Sequence, residues 1–506
     1  MKLLDYYLNR ITMYRLVLYG LAALAGIAII FGFIGTIHVS GTALLISVAI
    51  LVAACYAANY GFARLYGATT NVESALITSL ILFCIFSPPE NFADAAALAV
   101  TGVFAMASKY LVAYRARHIF NPAALAAVVM GWLGVAYATW WISGVAMLPF
   151  IVILGLLVLR KLRRFTLFIS FFIPALVATV LLAMGDGRGA ANAISDAFVS
   201  WPLLFLGTIM LTEPLTMPPT NKLRIIFGVL TGLLVGIGPH LHMGMYYITP
   251  ALALVLANVF AYTTTLRARL TLRLVQKRQL APGIMDFVFR SNYPFRFVPG
   301  QYLEVTLPLR HSDSRGNRRS FSIASSPTEQ GVEFGVRVGD PASAFKAGLM
   351  ALEPGGTVYG VQLAGDFTLP IKANEPLAFI AGGIGITPFR SMLQYIIDTK
   401  QQRDIVVFYQ ISKPLDAVYR DVLAAARAHG VRVVYVLGGG TTPPPPGWRG
   451  ETGLITADML AKHVPDNRVR RFYVSGPPAM VDSYAKLLHS IGVPGTHIVT
   501  DHFSGY

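Results

Sequence analysis

From Leu16 to Ile37 the sequence LVLYGLAALAGIAIIFGFIGTI carries no charged residue. A helix of about 20 apolar residues is what crosses the hydrocarbon core of a bilayer, so this run alone argues against an ordinary soluble globule. It lies in a region, Met1 to about Thr263, that holds 14 of the chain's 41 Lys and Arg and 7 of its 25 Asp and Glu. The rest of the 506 residues alternates apolar and polar positions as a water-soluble enzyme does. Two kinds of fold therefore share one chain, with a boundary near residue 263.

No small-residue cleavage site follows a short apolar core in this first run, so it is expected to be retained rather than removed as a signal peptide. Apolar stretches of spanning or near-spanning length begin near residues 14, 41, 73, 92, 122, 143, 166, 200, 223 and 245, which predicts ten helices. Their connections alternate in charge. Lys2, Arg10 and Arg15 precede the first, Arg64 follows the second, and Lys109, Arg115 and Arg117 follow the fourth. Arg160, Lys161, Arg163 and Arg164 follow the sixth, and Lys222 and Arg224 the eighth; Arg188 alone falls on the other side. By the positive-inside rule both ends of the region, and the soluble part after it, are expected in the cytoplasm at a bacterial-type inner membrane. Trp140, Trp141 and Trp201 then fall at the outer boundary, where indole rings favour the interface.

Much of the apolar region's share of the +16 formal charge lies in these loops, and no stretch resembles a nucleic-acid module. Cys55 and Cys84 both lie in apolar runs and read as buried inert thiols; the alternative is a cluster shared between protomers. His240 and His242, in GPHLHM, read as a solvated pair, so no metal site is expected.

A weak internal repeat runs through the apolar region. CIFSPPEN resembles LTMPPTNK, and NPAALAAV resembles TPALALVL; the offsets are 130 residues, Pro88 to Pro218, and 128, Pro122 to Pro250. Two similar units of five spans have opposite orientations, so this predicts an inverted repeat with its site where the units meet. Polar residues in or beside the spans are Glu73 with Thr78, Asn121, and Thr212 with Glu213. A carboxylate in a membrane is costly, which makes Glu73, Asn121, Thr212 and Glu213 candidates for a cofactor or ion site. The alternative is an interfacial role, with Glu73 or Glu213 capping a helix or pairing with Arg64 or Lys222.

After Arg267, short alternating runs such as RLTLRLVQ, IMDFVF and QYLEVTLPL predict an antiparallel barrel. Then PLAFIAGG, DIVVFYQ, VRVVYVL and RRFYVSG read as buried strands followed in most cases by helical patterns, which predicts a parallel, doubly wound sheet. Such a pair suggests a flavin domain and a nicotinamide domain. RRSFSIASSP places Arg319, Ser320, Phe321 and Ser322 together: a guanidinium for a diphosphate, hydroxyls for ring edges and an aromatic face. GGIGIT supplies Gly382, Gly383 and Gly385 at a strand-to-helix turn, where backbone N–H groups and the helix dipole face a pyrophosphate. YVSGPPAMV gives a second tight turn at a strand's carboxyl end, and Phe503 and Tyr506 in the terminal TDHFSGY are available to cover a flavin. Ser412 and Lys413 could hold a 2′-phosphate whereas Asp416 would repel one, so NADH and NADPH both stay open.

Residues 267–506 resemble the ferredoxin–NADP reductase superfamily. RRSFS matches its R-x-[Y/F]-S flavin motif, GGIGITP its nucleotide loop and SGPPAM its [C/S]-G-P-P-x-M turn; GWRGETGLIT and DHFSGY are further family features. The resemblance implies FAD on Arg319, Phe321, Ser322 and Ser343, with Ser320 beside them. It implies NADH or NADPH on Gly382, Gly383, Gly385, Thr387, Pro388, Gly476, Pro477 and Pro478. Ser475 stands where many relatives have Cys. With Ser475, Tyr506 is the candidate catalytic residue, as the aromatic shield that hydride transfer displaces.

The apolar region, through NVESALITSLIL, RHIFNPAAL and TEPLTMPPTNKLRIIFG, resembles the NqrB/RnfD family of membrane redox subunits. That resemblance implies flavin in the membrane. The loop that often carries a covalently flavinylated Thr is here GDGRGAANAISDAF and has no Thr, so the second flavin, FMN or riboflavin, is expected to be noncovalent. The expected fold is a polytopic all-α membrane domain of ten spans over residues 1–262, built as an inverted repeat. An antiparallel β-barrel FAD domain over 267–370 and an α/β doubly wound NAD(P) domain over 374–506 are expected to follow.

Function follows as an expectation: hydride passes from NAD(P)H to FAD, and electrons go on into or across the lipid bilayer. The favoured acceptor is an extracytoplasmic flavoprotein or redox partner subunit. The alternatives are the quinone pool, with or without Na+ or H+ coupling through Glu73 and Glu213, and a haem-type transmembrane reductase. The last needs paired histidines at two depths, against His38, His240 and His242 outside and His118 alone inside. A transporter with a regulatory nucleotide domain would leave the flavin motif unexplained.

Overall fold

The computed structural model describes residues 8, 11–67, 72–115, 117–199, 201–243, 246–266, 268–309, 313, 316–339, 341–438 and 444–502. Its contacts divide the chain into two compact units, Met1–Arg269 and Leu270–Tyr506.

The first unit is helical. Its helices are α1 Met13–Phe33, α2 Gly41–Leu65, α3 Val72–Ile85, α4 Phe92–Leu111, α5 Pro122–Trp132, α6 Leu148–Leu162, α7 Phe165–Gly185, α8 Ala190–Val199, α9 Leu203–Met210, α10 Asn221–Ile237 and α11 Pro250–Thr264. Polar residues just ahead of the apolar runs start several of them. Thr12 accepts from Arg15 N at 3.2 Å, Asn91 from Asp94 N at 3.0 Å and Thr249 from Leu252 N at 3.1 Å, each satisfying a donor that a helix start leaves open.

The count of ten spans is not confirmed. Among the described residues five helices are long and apolar enough to cross a membrane: α1, α2, α4, α7 and α10 with the turn that follows it. The pair α8 and α9, bent by 53°, would make a sixth. Helices α3, α5 and α11 have 14, 11 and 15 residues, so at 1.5 Å per residue they are about 21, 17 and 23 Å long, short of a ~30 Å core. Hydropathy reads apolar content and misses where the helical backbone stops, as it does at Ile85 ahead of Pro88 and Pro89.

Packing within this unit has a recurring pattern. Helix α2 lies against α4 as α7 lies against α10, and α5 lies against α11. The glycines of FGVLTGLLVGIG let α10 sit directly on α7: a Cβ on Gly232 would stand 2.2 Å from the Phe171 carbonyl oxygen. Small residues at such a crossing are what allow two backbones to approach.

The second unit holds two six-stranded sheets. The first comprises β1 Leu270–Ala281, β2 Ile284–Ser291, β3 Tyr302–Thr306, β4 Arg318–Ser322, β5 Val332–Arg337 and β6 Thr357–Ala364, with helix α12 Ala344–Ala351 between the last two. Its order is β4-β3-β6-β1-β2-β5, antiparallel throughout. Its edges meet just beyond β4, where Ala324 N donates to Glu333 O at 2.8 Å. Along β6 every second residue is buried, the period-2 pattern of a strand with one face on a core.

The second sheet comprises β7 Leu377–Gly382, β8 Ile405–Ile411, β9 Val431–Leu437, β10 Glu451–Thr452, β11 Arg471–Gly476 and β12 Ile498–His502, in the order β10-β9-β8-β7-β11-β12 and wholly parallel. Helices α13 Thr387–Asp398, α14 Arg420–Ala425, α15 Ala457–His463 and α16 Pro478–Ser490 connect its strands. All six residues of LAFIAG in β7 are buried, as a central strand covered on both faces requires.

Candidate functional site

Strand β7 ends in Gly382, and Gly383, with φ +53°, turns the chain through Gly383–Ile386 into α13. Thr387 is buried and its hydroxyl donates to Ile384 O at 3.1 Å; Pro388, whose missing N–H is no loss in a first turn, follows. Strand β11 lies beside β7 with Ser475 opposite Ala381. Gly476, at φ +156°, and Pro477 then lead into α16, where Pro478 is the first residue. The two turns touch: a Cβ on Gly382 would stand 2.2 Å from Met480 Sδ, and one on Gly385 2.3 Å from Ser475 O. Only glycine permits that approach.

Ser475 is fully buried, and its Oγ has no hydrogen-bond partner among the described residues. Such groups are uncommon in native interiors and point to a missing ligand or water. Next to it in the sheet, Ser475 pairs with Asp501 and Gly476 with His502 on β12. The Asp501 carboxylate accepts from Ser322 Oγ at 3.4 Å. The barrel motif thus reaches the carboxyl edge of the parallel sheet, the position ligands take in open α/β sheets.

In that motif Phe321 stacks near Phe334 and Phe345, at 5.6 and 5.8 Å between ring centroids. The Arg319 guanidinium lies 5.2 Å from the Phe345 ring centre and donates to Arg318 O at 2.6 Å. Ser320 is exposed. Ser343 caps α12, accepting from Lys346 N at 3.3 Å. Tyr506 and Phe503 lie outside the described residues. Asp416 is buried, 3.6 Å from Arg337, with its backbone oxygen bonded to the Tyr409 hydroxyl.

The first unit gathers a polar cluster from segments far apart in sequence. The Asn121 amide donates to Glu213 Oε2 at 2.9 Å, Thr216 Oγ1 donates to the same oxygen at 3.1 Å, and His118 Nε2 lies 3.4 Å from Oε1. Asn258 accepts from Asn121 N at 2.9 Å and donates to Thr216 O at 3.0 Å. Asn121 and Glu213 therefore meet. Thr212, just past the end of α9, does not join them, since its hydroxyl bonds Thr208 O of that helix at 2.8 Å. Glu73 is elsewhere, paired with Arg15 at 2.9 Å rather than with Arg64. Sequence reading missed His118, Thr216 and Asn258 as members; Asn258, alone among apolar residues in LALVLANVFAY, carried a signal.

The sequence profile of the oxidoreductase NAD-binding domain matches residues 379–486. Ferredoxin–NADP reductase B of Sorangium cellulosum is 30% identical over 248 residues, spanning 46% of this chain and 96% of that protein. The reductase component of propane 2-monooxygenase from Rhodococcus jostii is 33% identical over 219 residues, 42% of this chain and 56% of that protein. Among solved structures, the Amycolatopsis cytochrome P450 reductase GcoB aligns over 46% of this chain and 69% of its own, at 24% identity and a TM-score of 0.42. The chain spans nearly the whole of the first relative and a little over half of the second.

Proposed function

The chain belongs, through its C-terminal half, to the ferredoxin–NADP reductase family, an NAD(P)H-dependent FAD oxidoreductase family, and from that premise we propose that it is a membrane flavoprotein passing electrons from NAD(P)H into or across a bilayer to an extracytoplasmic acceptor. The observation that carries the site assignment is the Ser322–Asp501 contact, which brings the RRSFS strand to the sheet edge where the two glycine turns meet.

In this reading Arg319 neutralises the diphosphate of FAD, Phe321 offers a ring face, and Ser320 and Ser322 supply hydroxyls. Ser343 at the start of α12 completes that set. Gly382, Gly383, Gly385, Thr387 and Pro388 form one wall for the nucleotide, and Gly476, Pro477 and Pro478 the other. The residues fit such ligands: the glycine turns present backbone N–H groups with no Cβ in the way, and the partnerless Ser475 Oγ is a polar atom at the meeting point. FAD supplies the exchange between a two-electron hydride and single electrons. The chain's residues bind, orient and exclude water, with Tyr506 as the displaced shield.

The first unit is proposed as an NqrB/RnfD-like membrane domain with a second, noncovalent flavin. Its support is the repeated pairing of α2 with α4 and α7 with α10, and the Asn121–Glu213 contact joining the two halves of the unit. The partly buried Glu213 carboxylate in that cluster also favours a second reading, quinone reduction coupled to Na+ or H+ movement. The haem reading has less support, because His118 lies beside Glu213 and His240 beside Asp186, at 3.4 and 3.0 Å.

The test is to purify the protein in detergent, extract its cofactors with acid and count flavins and haem per chain. Two noncovalent flavins without haem support a carrier within the membrane. A single FAD moves the case to quinone reduction or to a partner's cofactor; haem sinks the flavin-only route.

A further inference from the structure

A cluster of charged residues in Leu270–Tyr506 plays no part in the site described above. Asp286, on β2, is fully buried. Its Oδ2 accepts from Arg278 Nη2 at 2.6 Å and its Oδ1 from the Tyr419 hydroxyl at 3.3 Å. Arg278 also bonds Glu333. Arg390, on α13, bonds Glu329, lies 3.2 Å from Glu333 and donates to Ala324 O at 3.1 Å. The groups facing Asp286 are therefore Arg278 from β1, Glu333 from β5, Glu329 ahead of β5, Arg390 from α13 and Tyr419 ahead of α14. Three carboxylates share two guanidiniums.

Tyr419 is held there against its backbone preference. Its φ is +55°, a left-handed conformation unfavourable in a residue other than glycine, which persists only where the surroundings over-determine it. The Tyr409 hydroxyl, accepting from Val418 N at 3.3 Å, is part of that surrounding. The barrel meets Tyr419 at Gly335. A Cβ there would stand 2.5 Å from the Tyr419 hydroxyl, 2.7 Å from Thr387 Cγ2 and 3.3 Å from Ile384 Cδ1. Ile384 and Thr387 belong to the glycine turn, so the turn and the Asp286–Tyr419 bond share one contact with the barrel.

We propose that Asp286 and Tyr419 are positioning residues whose hydrogen bond, anchored by Arg278 and Arg390, sets the Gly383–Thr387 turn against the barrel, so that nucleotide use requires Asp286 as the anion. The proposal rests on the reading that this turn binds NAD(P)H. Burial pushes the Asp286 carboxyl up to about 6, against the opposing pull of Arg278 and Arg390 and the Tyr419 bond. Protonation removes the anion that Arg278 and the Tyr419 hydroxyl hold, and the turn loses its anchor.

The experiment uses the full chain in detergent. Anaerobic stopped-flow reduction of the bound flavin by NADH and by NADPH is followed from about pH 5 to 8, a window around the titration. In the wild type the half-saturating nucleotide concentration rises several-fold as the pH falls through the titration, with a smaller change in maximal rate. Asp286→Asn abolishes that limb. Tyr419→Phe, which removes the bond itself, raises the half-saturating concentration several-fold at every pH and moves the remaining limb to higher pH. Flavin content per chain reports folding, and if Asp286→Asn does not fold, Tyr419→Phe decides. A limb that persists in Asp286→Asn, or stays at the same pH in Tyr419→Phe, overturns the proposal while the nucleotide site stands. A wild-type flavin that neither nucleotide reduces at any pH overturns the nucleotide reading, and this proposal with it.

Discussion

Gly385 lies directly against the backbone of Ser475: a Cβ on the glycine would stand 2.3 Å from the serine carbonyl oxygen and 2.8 Å from Gly476 Cα. Backbone cannot yield as a flexible side chain does. Gly385→Ala is therefore expected to push the two turns apart, and a displacement of about 1 Å at a reacting site costs on the order of a hundredfold in rate. At Gly382 the nearest atom is Met480 Sδ, at 2.2 Å, and that side chain can swing. Gly382→Ala is expected to lose less. Steady-state NAD(P)H oxidation with an artificial acceptor, normalised to bound flavin, compares them; equal losses would refute the backbone argument.

The hydroxyl of Ser475, which has no partner among the described residues, separates function from stability. Removing a buried hydroxyl that bonds no other protein group is close to neutral, within about 1 kcal/mol, so Ser475→Ala is expected to melt like the wild type. If the hydroxyl meets the nucleotide, flavin reduction slows about tenfold, ~1.4 kcal/mol. Thermal melting beside stopped-flow reduction checks both, and an unchanged rate removes Ser475 from the reaction.

Asp286 also makes a stability prediction with a definite sign. Its folded-state value of about 6 lies above the ordinary value of 3.8, so between them the folded chain binds more protons than the unfolded one. Stability contributed by this group therefore grows as pH falls from about 6 to about 4, by at most ~1.4 kcal/mol per pH unit. Relative to Asp286→Asn, the wild type is expected to gain melting temperature across that window. A constant difference between the two would refute it.

In the proposed function Glu213 and Asn121 act only after NAD(P)H oxidation. Glu213→Gln and Asn121→Ala are expected to leave NAD(P)H oxidation by ferricyanide unchanged, because residues in Leu270–Tyr506 carry it. Reduction of a membrane acceptor is expected to fall about tenfold or more, ~1.4 kcal/mol. Parallel assays in reconstituted vesicles decide, and equal loss in both assays would assign these residues a structural role.

Much of the second unit was legible because its signals are local. LAFIAG followed by GIGITP spells a buried strand and its turn within a dozen residues, and RRSFS lies in a single strand. The first unit was legible in composition and less so in geometry. Hydropathy located the apolar runs, but α3, α5 and α11 stop short, and backbone breaks of that kind depend on what packs around them.

Residue order was enough to show which residue types stand at the glycine turns, where charge is excluded, and that an apolar region precedes a reductase fold. Period, hydropathy and short motifs are properties of neighbouring residues, and they survive without a fold. Tertiary structure alone decided that Asn121 meets Glu213, that Ser322 meets Asp501, and that Asp286 is fully buried between Arg278 and Tyr419. All of those contacts but the Arg278–Asp286 pair join residues far apart in the chain, and burial and Coulomb attraction between them exist only once packing has excluded the water that would otherwise screen them.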